Sequence, residues 1–134
     1  MGKYDEYKKH WKQRAERERR RRQTLAAEAR LEARRLGDLL VRQFGATRVY
    51  LFGSLTRDGA FHERSDIDLA TEGLTPTSLF EAGIALDRAC DYRYRVDLVD
   101  LETAREGMRE LILEEGVLLC ERNRDPQAYH RDTR

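Results

Sequence analysis

Residues Tyr50 to Ala70 read Y-L-F-G-S-L-T-R-D-G-A-F-H-E-R-S-D-I-D-L-A, and the fold turns on how this stretch is read. Val49-Tyr50-Leu51-Phe52 is an apolar, β-favouring run of strand length. Gly53-Ser54 breaks it, and a polar loop with Asp58-Gly59 inside it follows. The stretch closes on Asp66-Ile67-Asp68-Leu69-Ala70, where carboxylates alternate with apolar side chains. Residues two apart on a strand share a face, so Asp66 and Asp68 are expected to point together while Ile67 and Leu69 enter a core. Adjacent carboxylates repel unless a cation lies between them. An oxygen-only ligand set suits a hard ion such as Mg²⁺.

Working outward, a strand is expected on each side of a helix. The first predicted strand is residues 48 to 52 and the second 66 to 71. Thr75-Pro76 supplies an N-cap and an N1 proline for a helix. Leu79, Phe80, Gly83, Ile84, Leu86 and Cys90 are expected on its buried face, with Gly83 permitting close packing. A third strand is predicted over residues 94 to 99, with Asp97 on the face opposite Val96 and Leu98 and Asp100 starting a turn. Thr103 is expected to cap a last helix with Met108, Leu111 and Ile112 inward and Gly116 ending it. Val117 to Cys120 then reads as a short buried strand or packed tail, and residues 122 to 134 as a flexible tail.

Upstream, residues 4 to 44 contain no proline and no glycine before Gly37, and helix formers dominate. One long helix or two in tandem is predicted, with Gly45 as the terminating residue. Ala29, Ala33, Leu36, Leu40 and Phe44 recur at helical spacing and should pack on the sheet. Further back, Tyr4, Tyr7 and Trp11 form a narrow aromatic stripe. The middle segment has no apolar face, only i,i+4 pairs such as Glu16 with Arg20 and Glu18 with Arg22.

The chain of 134 residues suffices for one domain with a modest core. Its near-neutral net charge of +1 hides a split. Residues 1 to 45 carry fourteen Lys/Arg against seven Asp/Glu, and the remainder twelve against eighteen. The basic run from Arg17 to Arg22 fits a solvated helical face, an acidic partner or RNA. The aromatic stripe favours a protein partner, because a helix outside the core has nothing else to bury it against. Residues 1 to 24 are therefore expected to dock on another chain. No apolar run reaches the roughly 20 residues of a membrane span, and the N-terminus is too polar for a secretory signal. Cys90 and Cys120 lack metal-binding spacing and read as buried thiols of a reducing, cytoplasmic compartment. His62 reads as a surface residue, since no Ser or Cys nucleophile accompanies it.

Gly-Ser, then D-x-D, then a third Asp in the later V-D-L-V strand together resemble the signature of the DNA polymerase β-type nucleotidyltransferases. The short chain is most similar to the minimal nucleotidyltransferase (MNT) branch, over roughly residues 30 to 121. Glu115-Gly116-Val117-x-Leu119 near the end also resembles that branch. The spacer from Leu55 to Ser65 is one residue longer than is common there. Leu55 stands where the family commonly has Arg, and Arg57 is the nearest base.

The resemblance implies an α/β fold: a nucleotidyltransferase-type mixed sheet of three to four strands flanked by helices, with a long N-terminal helical extension. The expected division is a basic extension over 1–24, the nucleotidyltransferase domain over 25–121 and a tail over 122–134. It implies Asp66, Asp68 and Asp97 as catalytic residues and ligands of two Mg²⁺ ions. ATP is the implied substrate, with Gly53, Ser54 and Arg57 at its phosphates. The implied function is an antitoxin that transfers AMP to a hydroxyl, such as a tyrosine, of a HEPN RNase toxin, with which it would form a hetero-oligomer. Alternatives are an antitoxin that neutralises by binding alone, or a small-molecule nucleotidyltransferase. Direct nucleic-acid binding through Arg17 to Arg22 is less favoured.

Overall fold

A computed structural model describes residues 2 to 122. The chain opens with one unbroken helix, α1 (Lys3–Phe44). Its inward stripe begins at Ala26 and continues through Ala29, Ala33, Leu36 and Leu40. Small residues on this stripe let the helix lie close to the sheet. The helix ends where expected: Gly45 takes φ +80, and the backbone there closes on the Leu40 and Val41 carbonyls.

β1 (Arg48–Phe52) leads into a 3₁₀ turn at Gly53–Thr56, then a loop, then β2 (Ile67–Glu72). α2 (Pro76–Ala89) crosses over to β3 (Val96–Asp100), and α3 (Glu106–Glu115) leads to β4 (Val117–Glu121). The sheet order is β3-β2-β1-β4. β1 is antiparallel to both β2 and β4, while β2 and β3 are parallel, as their helical crossover requires. This is the mixed, helix-flanked α/β sheet the sequence implied, and it has four strands. The main core joins the inward stripes of α1 and α2 to Val49, Leu51, Ile67 and Leu69 on one face of the sheet. A smaller cluster of Ala70, Leu101 and Ile112 lies apart from it, with Tyr50, Phe52 and Val99 packed alongside.

The outer elements depart from several expectations. β2 starts at Ile67, so Asp66 sits one residue before the strand. β3 starts at Val96 and runs through Asp100, whose carboxylate nevertheless organises the turn after it by accepting from the Glu102 N–H at 3.0 Å and the Thr103 hydroxyl at 3.3 Å. Thr103 is thereby committed to Asp100, and α3 begins later, with Arg105 at its uncapped N-terminus.

Thr75 does cap α2, accepting from the Ser78 N–H at 3.1 Å. That helix, however, buries only Ala82 and Leu86, with Cys90 at its end. Phe80 is 73% and Ile84 43% exposed. One narrow stripe meets the sheet, and these two residues lie on the neighbouring one. Gly83 permits no close contact, since a Cβ there would meet nothing within 4 Å. On α3 only Ile112 is buried, with Met108 and Leu111 about half exposed.

β4 is an edge strand among the described residues, and Val117 and Leu118 on it are about half exposed, not buried as expected. Cys90 is buried, while Cys120 is half-buried and donates to Asp38 Oδ1 at 3.2 Å. Burial, then that carboxylate, pushes the Cys120 thiol up to about 12, which leaves it unreactive. The expected tail lies outside the described residues except for Arg122, whose N–H donates to the Thr47 carbonyl at 2.8 Å. Among the described residues no helix is long and apolar enough to cross a membrane.

Candidate active site

Strand register assembles the acidic group. β2 and β3 pair so that Asp68 stands opposite Asp97. Paired residues of neighbouring strands share a face and lie about 4.8 Å apart along the sheet. Asp66 lies two residues upstream of Asp68, where the chain enters the strand. All three charges are felt at Asp68. Its carboxyl is pushed up to about 6, first by burial, then by the charge of Asp97 and then by that of Asp66. Packing has thus concentrated negative charge at a half-buried point that resists ionisation.

The other side of the site comes from β1. Phe52 pairs with Asp68, so the next residue, Gly53, meets the Asp68 side chain. A Cβ on Gly53 would fall 2.1 Å from Asp68 Oδ2, and the backbone there takes φ +77. Glycine is required on both counts. The sequence marked Gly53 as a turn former. Its closeness to the carboxylate follows only from register.

The 3₁₀ turn is held internally, with the Thr56 hydroxyl donating to the Gly53 carbonyl at 2.7 Å and the Arg57 N–H to the Ser54 carbonyl at 3.2 Å. No side chain caps it. Ser54 is therefore not consumed as a cap, and its hydroxyl makes no hydrogen bond among the described residues. Leu55 is buried in the core and cannot face a ligand as an arginine would. Arg57 begins the exposed loop, and its side chain forms no ion pair among the described residues.

Two residues that sequence reasoning passed over fix this geometry. Arg30 of α1 donates from Nε to the Leu55 carbonyl at 3.0 Å, pinning the turn to the long helix. Phe61, buried at 3% exposure, anchors the middle of the loop between the turn and Asp66. A lone phenylalanine in a polar loop was a readable signal. Nothing distinguished Arg30 from its many neighbours of the same type. His62 is exposed, and its Nδ1 accepts from the Arg64 N–H at 3.2 Å.

Among the described residues, no three acidic, imidazole or thiol side chains come together closely enough to hold a metal ion by themselves. That is compatible with Mg²⁺, which keeps several waters and is bound by one or two carboxylates plus substrate phosphates. The donors are all oxygen, and Asp68 crowded by two like charges is the arrangement a divalent cation relieves. The residues fit the ion.

Comparison with known proteins agrees with this fold. A family model described as polymerase beta, nucleotidyltransferase, matches residues 35–125. No curated protein sequence matches the chain. Among solved structures, one of a toxin–antitoxin with AMP-PNP is 28% identical, covering 75% of this chain and 82% of that one, with a TM-score of 0.56. A chain of the Shewanella oneidensis complex of a tri-AMPylated HEPN toxin with an MNT antitoxin is 26% identical, covering 78% and 82%, with a TM-score of 0.54. A structure described as a minimal nucleotidyltransferase is 28% identical, covering 69% and 93%, with a TM-score of 0.57.

Proposed function

The chain belongs to the polymerase beta nucleotidyltransferase family, and from that premise we propose that it transfers AMP from ATP to a tyrosine hydroxyl of a HEPN-domain toxin and so neutralises it. The observation that carries this reading is the register of Asp68 against Asp97 beside the side-chain-free Gly53. The similarity to MNT antitoxin structures, one with a tri-AMPylated HEPN toxin, supports a HEPN toxin as the acceptor. The cytoplasm is the proposed location, given two free thiols and no apolar span among the described residues.

In the reaction the acceptor oxygen attacks the α-phosphorus of ATP, the bond to the bridging oxygen breaks, and pyrophosphate leaves. The acceptor proton passes to the Asp97 carboxylate, which is exposed at the end of the sheet where a protein hydroxyl can reach it. Gly53 and Ser54 offer a backbone turn and an uncommitted hydroxyl to the β- and γ-phosphates. Arg57 adds a positive charge at the loop's mouth. Asp66, Asp68 and Asp97 would hold two Mg²⁺ ions, which neutralise charge on the transferring phosphoryl group and activate the hydroxyl when bound.

A test incubates the purified protein with α-labelled ATP, Mg²⁺ and the HEPN protein. Label should pass to the HEPN protein, and Asp66→Asn or Asp97→Asn should reduce transfer by at least about 10²–10³-fold without loss of fold. EDTA should stop transfer by the unaltered protein. Full activity in either variant refutes the assignment. A second reading, neutralisation by binding alone, is favoured by one observation: Leu55 is buried where the family commonly has an arginine. It is supported if the protein silences the toxin without labelling it.

A further inference from the structure

The family match begins at residue 35, so most of α1 lies outside what the family accounts for. From Lys3 to Thr24 the helix has no buried residue, a length of about 33 Å at 1.5 Å per residue. Tyr4, Tyr7 and Trp11 remain 68%, 59% and 48% exposed. Their stripe continues by steps of three and four through Arg14, Glu18, Arg21 and Leu25 into Ala29, where the same face enters the core. The face that packs on the sheet thus overhangs the body with three exposed aromatic rings and, among the described residues, no core residue beneath them.

The rings are already arranged. Tyr7 and Trp11 meet edge to face, with centroids 5.9 Å apart and planes at 68°. The Lys8 ammonium lies 4.8 Å from the Tyr4 centroid, and the Arg14 guanidinium lies 5.5 Å from that of Trp11. Stacking of nucleic-acid bases needs open ring faces. Here a cation already occupies one face of two of the three rings, and the third is turned against its neighbour. Several arginines are also engaged: Arg19 and Arg20 pair with Glu16, and Arg22 with Glu18. What remains is a ridge with anchors at i, i+3 and i+7 and a cationic margin. Such a ridge suits a groove with an apolar floor and a carboxylate rim.

The root of this ridge meets the site's own loop. Arg21 pairs with Glu63, and a cleft of about 320 Å³ between Glu18, Arg22 and Leu25 of α1 and His62 and Arg64 of the loop continues the stripe. That loop leads directly to Asp66. A partner lying along the ridge is therefore delivered to the end of the sheet that carries the carboxylates.

We propose that residues 4 to 25 of α1 are a docking arm that seats in an acidic-rimmed groove of the HEPN-domain acceptor and holds its hydroxyl near Asp97. The inference rests on the functional reading above for the acceptor's identity. The test uses the full chain, with AMP transfer to the HEPN protein measured at varied concentrations of each substrate. Tyr7→Ala/Trp11→Ala should raise KM for the HEPN protein about 30-fold, as loss of an interface hot spot does. KM for ATP, kcat and helix content by circular dichroism should stay within about twofold. Lys8→Glu/Arg14→Glu, which keeps all three rings, should raise the same KM.

Trp11 is the sole tryptophan, so 5-fluorotryptophan reports the arm alone, and its ¹⁹F resonance should shift when the HEPN protein is added. Transfer with an unchanged KM in both variants overturns the arm and leaves the transferase reading standing. No transfer by the unaltered protein, with a ¹⁹F shift that Lys8→Glu/Arg14→Glu abolishes, overturns catalysis and leaves the arm standing. Loss in the variants of binding to an oligoadenylate strand, with KM for the HEPN protein unchanged, makes the arm a nucleic-acid surface and overturns the proposal. Neither transfer nor shift overturns both.

Discussion

Asp68 carries the conflict between folding and function. Its carboxyl titrates near 6 and not at its ordinary 3.8, because burial and two neighbouring carboxylates oppose ionisation. A carboxyl raised in the folded state binds its proton more tightly there than in the unfolded chain. Stability is therefore lost as pH rises from about 4 through 6, and the full penalty persists at neutral pH. Two units would amount to about 3 kcal/mol, and solvent screening at this half-exposed position reduces that to roughly 1. With divalent ions chelated, Asp68→Asn should be more stable than the unaltered protein at pH 7.5 and indistinguishable at pH 3.5, as read by thermal melts. Added Mg²⁺ should raise the melting temperature of the unaltered protein but not of the variant. A second buried group goes uncompensated without serving the site: among the described residues the Thr71 hydroxyl has no partner. Thr71→Val should stabilise by about 1 kcal/mol in denaturant titration.

At the scale of elements, the sequence disclosed type and order well and facing poorly. Strand order along the chain, the αL glycine after α1 and the Thr75 cap were all readable, because each depends on neighbours within four residues. The faces of α2 and α3 were not. Phe80, Ile84, Met108 and Leu111 carry the right chemistry for a core, yet which stripe is buried depends on where the sheet lies. The same holds for the site. Gly53-Ser54 and the D-x-D pattern marked the segments, while the pairing of Asp68 with Asp97 and the clash that only glycine avoids at position 53 are products of register. Arg30 belongs to this class of unreadable residue, since its role is set by a carbonyl 25 positions away. Arg30→Met should leave that part-buried carbonyl without its donor, at a cost of about 1–2 kcal/mol. The turn should loosen with it, so amide exchange at Arg57, whose N–H closes the turn on Ser54, should accelerate more than exchange in β1.

At the scale of the whole molecule, charge and burial change along α1 at neighbouring points. The helix is strongly basic through Arg22, and its first buried side chain is Ala26. Helical continuity hides this change, since α1 runs unbroken from Lys3 to Phe44. Energetically the two parts differ. Upstream of Leu25, the ion pair between Arg21 and Glu63 ties the arm to the body, and it is exposed on both sides. An exposed pair contributes 0–1 kcal/mol. Downstream, Ala26, Ala29, Ala33, Leu36 and Leu40 fill the core against the sheet. A chain beginning at residue 25 should therefore melt within about 2 °C of the full protein while its scattering radius falls. Beginning at residue 37 removes four of those five side chains, strips the cover from β1 and should leave the chain unfolded. A steep stability loss already on removal of residues 2 to 24 would mean that the arm packs on the body in solution, and the ridge would then be a covered face and no docking surface.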